Sequence, residues 1–282
     1  MSETMPADVL PSGVLYVVAT PIGHLGDLSR RAEEVLKSVQ IIAAEDTRRT
    51  RVLLDHIDHR APELLSLHDH NEHHMAPELV ARLSAGDSVA LVSDAGTPLV
   101  NDPGYPLVQA AFAAGIRTVP IPGASSITAL LSVCPLPSYP FRFVGFLPSK
   151  SKARTELLEG WLSSPDAVVF LEAPHRIVAT LEDLARITER RVMLGRELTK
   201  THESILVGTA AVLAQEVIDQ ARGEFIGVIE AAEVSPLVRD SAAVLRVLLK
   251  ELPPSQAAKL AASICGTRKA DMYDLALSLP RD

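Results

Sequence analysis

The sequence predicts an α/β protein: two α/β domains in series, over residues 1–122 and 123–234, followed by a small helical module over 235–282. Three observations predict it. Short apolar runs alternate with stretches rich in Ala, Leu, Glu and Arg. A proline-dotted segment at Cys134–Pro140 interrupts that alternation before it resumes, and the chain from 240 onward is helical in pattern. Apolar strands separated by helices mean a mostly parallel sheet covered on both faces.

In the first domain the strand-like runs are 13–19, 39–44, 64–67, 89–92 and 117–121, with helical patterns at 29–38, 47–55, 76–85 and 104–114. In the second, strands are read at 141–146, 167–171, 191–194, 203–207 and 224–229, with helices at 175–187 and 209–219. The bend at 134–140 marks the boundary, and Val234-Ser235-Pro236 reads as a linker. In the tail, Pro253-Pro254 and Gly266-Thr267 divide three short helices with apolar faces. Such a module serves nucleic-acid contact or braces a dimer, and the bracing reading is placed ahead.

Composition narrows the function. With 282 residues, 47% of them apolar, the chain can build two ordinary cores without staples. Cys134 and Cys265 stand far apart with no zinc or disulfide spacing, which fits a reducing compartment. The N-terminal stretch lacks the basic and apolar regions of a secretion signal, and no apolar run approaches the roughly 20 residues that span a bilayer. A soluble cytoplasmic protein without membrane association is expected. The net charge of -8 gives no general attraction to polyanions, so an RNA substrate needs a local basic surface.

In open α/β sheets ligands lie beyond the carboxyl ends of the strands. The first-domain strands are followed there by Thr20–Asp27, Glu45–Arg49, Ser93–Pro98 and Pro122–Ser126, loops rich in Gly and small hydroxyl residues. Such loops let the backbone approach a small polar ligand closely. One alone reads as an ordinary turn; four at one sheet edge read as a binding site. Neither GxGxxG nor GxxxxGK[ST] occurs, which removes the usual warrant for dinucleotides and nucleoside triphosphates. Asp94 can face a cationic ligand or cap the helix after it. Glu45, Asp46 and Arg48 can contact substrate or simply pair with one another. The histidines at 56–74 lack any metal-site spacing, so no metal is expected; His68 and Asn71 are candidates for polar substrate contacts.

These loops carry a resemblance. Thr20-Pro21-Ile22-Gly23-His24-Leu25-Gly26-Asp27, Ala44-Glu45-Asp46-Thr47-Arg48, Ser93-Asp94-Ala95-Gly96-Thr97-Pro98 with Asp102-Pro103-Gly104, Ala173-Pro174-His175-Arg176 and Arg196-Glu197-Leu198-Thr199-Lys200 occur in the order found in the ribosomal RNA small-subunit methyltransferase I family. That family belongs to the tetrapyrrole methylase superfamily, and the likeness spans roughly residues 13–280. It implies class III methyltransferase architecture, with S-adenosyl-L-methionine in the cleft between the two α/β domains. It also implies a homodimer and 2′-O-methylation of a cytidine in the decoding region of 16S rRNA, in the small ribosomal subunit. Carried over by position, the cofactor touches Pro21, Asp94, Ala95, Gly96, Thr97, Ser126, Ile127 and Leu171. The family usually has Asn in place of His24, Pro-Ser in place of Ala124-Ser125, and Tyr-Glu-Ser in place of Leu171-Glu172-Ala173.

Methyl transfer from sulfonium to oxygen is an in-line displacement, so the hydroxyl must be aligned and its proton removed. Glu45, Asp46 and Arg48 are the expected catalytic, substrate-facing set, with Glu172, His175 and Lys200 as other candidates. RNA contact is expected from local basic residues, among them Arg49, Arg51, Lys150, Lys152, Arg154, Arg190, Arg191 and the tail. The alternatives are a sister methylase acting on a tetrapyrrole or a modified protein side chain, and a non-catalytic ribosome assembly factor. The sister enzymes carry Gly-Asp-Pro where this chain has the Ser93–Thr97 loop, and they lack the tail.

Overall fold

The computed structural model describes residues 11–61, 63–219, 221–232 and 241–279. By their contacts these fall into two units, one ending at Ala231 and the other beginning at Ala232.

The first unit opens with five strands: β1 (Val14–Val18), β2 (Ile41–Ala44), β3 (Glu63–Ser66), β4 (Val89–Val92) and β5 (Arg117–Ile121). They form one parallel sheet in the order β3-β2-β4-β1-β5. Burial follows that order. The inner strands β2 and β4 are buried at every position, whereas the edge strand β5 is partly exposed and accommodates Pro120, which has no N–H to give a further neighbour. Alternate residues feed two layers. Val14, Tyr16, Val18, Ile42 and Val92 pack beneath α1 (Arg30–Ser38) and α2 (Thr47–His56), and Leu15, Ile41, Val89 and Leu91 beneath α3 (Glu72–Ser84) and α4 (Tyr105–Ala113).

The helix predicted over 76–85 begins four residues earlier, at Glu72. A tertiary bond anchors its first turn: the Glu72 carboxylate accepts from the Gly104 N–H at 2.7 Å. Asn71 just before it folds the preceding loop, accepting from His68 N at 2.8 Å and donating to the Ser66 carbonyl at 2.9 Å.

After α5 (Ser126–Ser132) come β6 (Phe141–Phe146), α6 (Ser151–Leu162), β7 (Ala167–Glu172), α7 (Ile177–Ile187), β8 (Arg191–Arg196), β9 (Ser204–Thr209), α8 (Ala210–Val217) and β10 (Phe225–Ile229). The second sheet runs β6-β7-β10-β8-β9 and is parallel only between β6 and β7. β8 turns directly into β9, and a direct turn allows only an antiparallel neighbour.

Helices α5 and α6 are not among the elements read from the sequence. The buried side of α6 contains Arg154 as well as Leu158, so its apolar periodicity is broken by a charge. Arg154 was expected on an RNA-facing surface. It is instead 3% exposed and donates from Nε to Asp183 of α7 at 2.8 Å, so it is a core ion pair. Arg190, expected on the same surface, donates to the carbonyls of Leu162 and Ser164, and Arg191 pairs with Glu230 at 3.0 Å.

The second unit contains α9 (Ser241–Leu249), α10 (Pro254–Cys265) and α11 (Lys269–Ser278), broken where the sequence places its prolines and glycine. Leu245, Ala257, Ala261 and Met272 form its core, and Gly266 ends α10 in the left-handed conformation. Among the described residues no helix is long and apolar enough to cross a membrane.

Candidate active site

A cavity of about 410 Å³ lies beyond the carboxyl ends of the first sheet, walled on its other side by the second. The loops after β1, β4 and β5 form its first-domain rim and are tied to one another. Thr20 and Gly96 exchange backbone hydrogen bonds at 2.8 and 3.1 Å, Thr20 Oγ1 donates to the Ser93 carbonyl, and Thr97 Oγ1 donates to the Ala124 carbonyl at 3.3 Å. The second domain contributes Phe143, Phe146, Leu171, Leu198 and Ile226.

The rim is also locked across the cleft. Asn101, in the left-handed region at φ +74°, places its Oδ1 where a Cβ on Gly145 would stand; Gly145 itself has φ +67°. Both demands at that position are met by glycine alone. At the other end Gly23 lies against the Leu198 carbonyl and the Lys200 side chain, and His24 N donates to Thr199 Oγ1 at 3.0 Å. His24 Nδ1 accepts from Gly26 N at 3.1 Å, so the imidazole caps the short turn that begins at Leu25.

Of the eight residues expected at the cofactor, Ala95, Gly96, Thr97, Ser126, Ile127 and Leu171 line this cavity. Pro21 and Asp94 line an adjoining hollow of about 210 Å³, together with Arg49 and Lys200. Asp94 does not cap the helix after it. It accepts from Asp46 N at 3.0 Å and faces Arg49 at 3.3 Å, while its own N–H donates to Glu45 at 3.1 Å. The loops after β2 and β4 are thus braced by reciprocal carboxylate-to-backbone bonds.

That brace separates the three residues expected to be catalytic. Glu45 lines the cavity. Asp46 caps α2 through Arg48 N at 2.8 Å and holds the Arg48 guanidinium at 2.6 Å; it lines neither hollow. Arg48 is 86% exposed, and its guanidinium keeps the Asp46 carboxyl far below the ordinary carboxylate range. Glu172 reaches the cavity wall, but its carboxylate is buried and taken by Ala173 N, Thr180 Oγ1 and Arg176. Lys200 is held between Glu197 and Glu224, each at 3.0 Å.

The residue that sequence reasoning missed is Asp102, which lines the cavity from the loop between β4 and α4. Burial pushes its carboxyl up to about 6, aided by the like charges of Glu45, Asp94 and Asp69 and opposed by a bond from Ser93. Burial raises Glu45 as well, with Asp94 and Asp69 adding to it. Among the described residues no three His, Cys, Asp or Glu side chains converge as a metal site.

Comparison with known proteins accords with this geometry. The profile described as Tetrapyrrole (Corrin/Porphyrin) Methylases matches residues 14–214, and that described as RsmI C-terminal HTH domain matches residues 236–280. The chain is 48% identical to a ribosomal RNA small subunit methyltransferase I of Xylella fastidiosa, covering 93% of this chain and 98% of that one. It is 46% identical to its namesake in Escherichia coli, over 94% and 95% of the two chains. In fold it is similar to a diphthine synthase, with a TM-score of 0.62 at 17% identity over 77% of this chain and 90% of that one. It is likewise similar to uroporphyrin-III C-methyl transferase from Thermus thermophilus complexed with S-adenyl homocysteine, with a TM-score of 0.54 at 17% identity over 77% and 97%. Near-complete coverage at this identity, two profile matches in series and a cavity between two sheets agree, and the chain belongs to the ribosomal RNA small subunit methyltransferase I family of tetrapyrrole methylases.

Proposed function

We propose that this chain transfers a methyl group from S-adenosyl-L-methionine to the ribose 2′-hydroxyl of a cytidine in the decoding region of 16S rRNA, acting on the small ribosomal subunit as a cytoplasmic homodimer. The observation that carries the reading is the 48% identity over 93% of the chain to a ribosomal RNA small subunit methyltransferase I.

The cavity suits that cofactor in size and chemistry. Its volume of about 410 Å³ lies within the range of small-molecule sites. Ile22, Ile127, Leu171 and Leu198 offer apolar surface for a purine ring, Thr97 and Ser126 offer hydroxyls, and Glu45 and Asp102 offer negative charge to a cationic ligand. When bound, S-adenosyl-L-methionine supplies a methyl group already activated on a sulfonium. The chain then has to hold the hydroxyl in line, exclude water and remove one proton. Ala95 to Thr97, Ser126, Ile127 and Leu171 hold the cofactor directly. Pro21 shapes the adjoining hollow, and Asp94 fixes the loop that bears Glu45. Glu45 faces the reacting centre. Asp46 and Arg48 set the start of α2 and present a cation outward, where a phosphate of the RNA can meet it.

The helix-turn-helix tail is assigned to RNA. Lys259 and Lys269 supply basic charge there, while Arg268 is paired with Asp271 at 2.9 Å. The test is label transfer from methyl-labelled S-adenosyl-L-methionine to small subunits lacking the modification, mapped by nuclease digestion and mass spectrometry. Label on a ribose 2′-oxygen of 16S rRNA is expected; label on a base, or on no RNA despite cofactor binding, overturns the reading.

A further inference from the structure

The hollow that adjoins the main cavity shares Ile22, Ala95 and Glu224 with it, so an occupant of one abuts an occupant of the other. At about 210 Å³ it is smaller than the roughly 300 Å³ at which small-molecule sites begin, which suits one unit of a longer chain better than a whole free ligand. An in-line displacement needs its acceptor in such a place, against the cofactor but outside the space the cofactor fills.

The lining of the hollow divides by chemistry. Pro21, Leu25, Val52 and Leu53 supply apolar surface, and of these Val52 is 60% exposed on α2 and Leu25 is exposed as well, so neither is spent on the core. The two carboxylates, Asp94 and Glu224, are each countered by a cation, Arg49 at 3.3 Å and Lys200 at 3.0 Å, and so oppose a polyanion little. Arg49 is itself largely exposed, and Asp94 is its one ion-pair partner among the described residues, which leaves guanidinium donors for a phosphate.

Helix α2 borders a second depression. It gives Arg49, Val52 and Leu53 to the hollow, and Arg51, Leu54 and Asp55 to the other, where Arg60 joins them. Arg51 and Arg60 are exposed, and among the described residues neither has an ion-pair partner; Asp55 is paired to neither. In a chain of net charge -8, such a concentration of cations on one helix and the turn after it marks where a polyanion can cross.

We propose that the hollow seats the nucleoside that accepts the methyl group, its base against Leu25 and Val52 and its backbone crossing α2 over Arg49 and Arg51. The inference rests on the methyl-transfer reading above and names the residues that face the RNA in it. An unpaired base can enter such a slot, and apolar side chains grip its face. Leu25 and Val52 are positioning residues: they hold the base, and through it the ribose hydroxyl, against the main cavity.

The experiment compares the wild type with Val52→Trp, which fills the hollow from an exposed helical position. Three quantities are read: kcat at saturating unmodified small subunits, affinity for those subunits, and calorimetric affinity for S-adenosyl-L-methionine. Expected for Val52→Trp is a fall in kcat of about 10²-fold, because the acceptor can no longer reach its aligned position, with cofactor affinity kept within about threefold. Retained cofactor binding also certifies that the variant is folded. Wild-type kcat at saturation overturns the assignment, and if it comes with weakened subunit affinity, α2 contacts RNA without seating the acceptor. Loss of cofactor affinity overturns it too, by making the hollow part of the cofactor's own site. Absence of label with the wild type itself is a different failure, that of the methyl-transfer reading.

Discussion

A carboxyl held above its ordinary value stabilises the protonated fold and weakens the ionised one. Asp102, raised from 3.8 to about 6, therefore contributes nothing unfavourable below pH 4, an increasing penalty between pH 4 and 6, and its full penalty above. Asp102→Asn should accordingly be more stable than the wild type at pH 7–8, by about 1 kcal/mol once partial solvent screening is allowed for, and equally stable at pH 4. Urea titrations at the two pH values check this; a variant destabilised at both would show that the carboxylate is structural. The opposite case is Arg154, whose guanidinium neutralises the buried Asp183. Arg154→Ala removes the buried partner of that carboxylate and should cost about 3–5 kcal/mol, read as a lowered denaturation midpoint. A change below 1 kcal/mol would mean that Arg186, which also reaches Asp183 at 2.8 Å, is partner enough.

At the scale of the element, the loop between β4 and α4 and strand β6 form one mechanical unit. Gly145→Ala adds a methyl group where Asn101 Oδ1 already stands, and in a left-handed conformation. The strained turn must then shift or the strand must bend, at about 1–3 kcal/mol. Because Asn101 and Asp102 both line the cavity, we expect Gly145→Ala to weaken cofactor binding. A variant that loses stability while keeping wild-type cofactor affinity would show that the turn holds without the interlock. Helix α2 is a second such unit. Its first turn is capped by Asp46 from within and braced by Asp94 from the neighbouring loop, so the cations Arg48 and Arg49 project from a fixed start.

At the scale of the molecule, every residue that lines the cavity lies before Ala231, and the three tail helices have a core of their own. A chain ending after Ala232 should therefore bind S-adenosyl-L-methionine within about threefold of the full chain while losing affinity for small subunits. The lost contacts should include phosphates, so the slope of log affinity against log salt should become shallower, by about 1 for each phosphate contact removed. Calorimetry and filter binding at several salt concentrations measure both. Unchanged subunit binding would remove the tail from the RNA interface and return it to the bracing role.

The fold class, the order of the strands and the family were determined by the sequence alone, because each rests on local pattern. Continuous apolar runs mark β2 and β4, prolines and glycine divide the tail, and the small-residue loops lie at the strand ends that a parallel sheet turns into one edge. The antiparallel pairing of the second sheet, the helix α6 built around a buried charge and the separation of Glu45 from Asp46 and Arg48 were decided by tertiary structure. Adjacent residues at a strand end look alike in sequence, yet the reciprocal bonds between Glu45 and Asp94 and between Asp94 and Asp46 turn one inward and leave the other to cap a helix. Asp102 shows the same limit. Its altered acidity comes from burial and from carboxylates 8, 33 and 57 positions away along the chain, at Asp94, Asp69 and Glu45, which only folding brings near it.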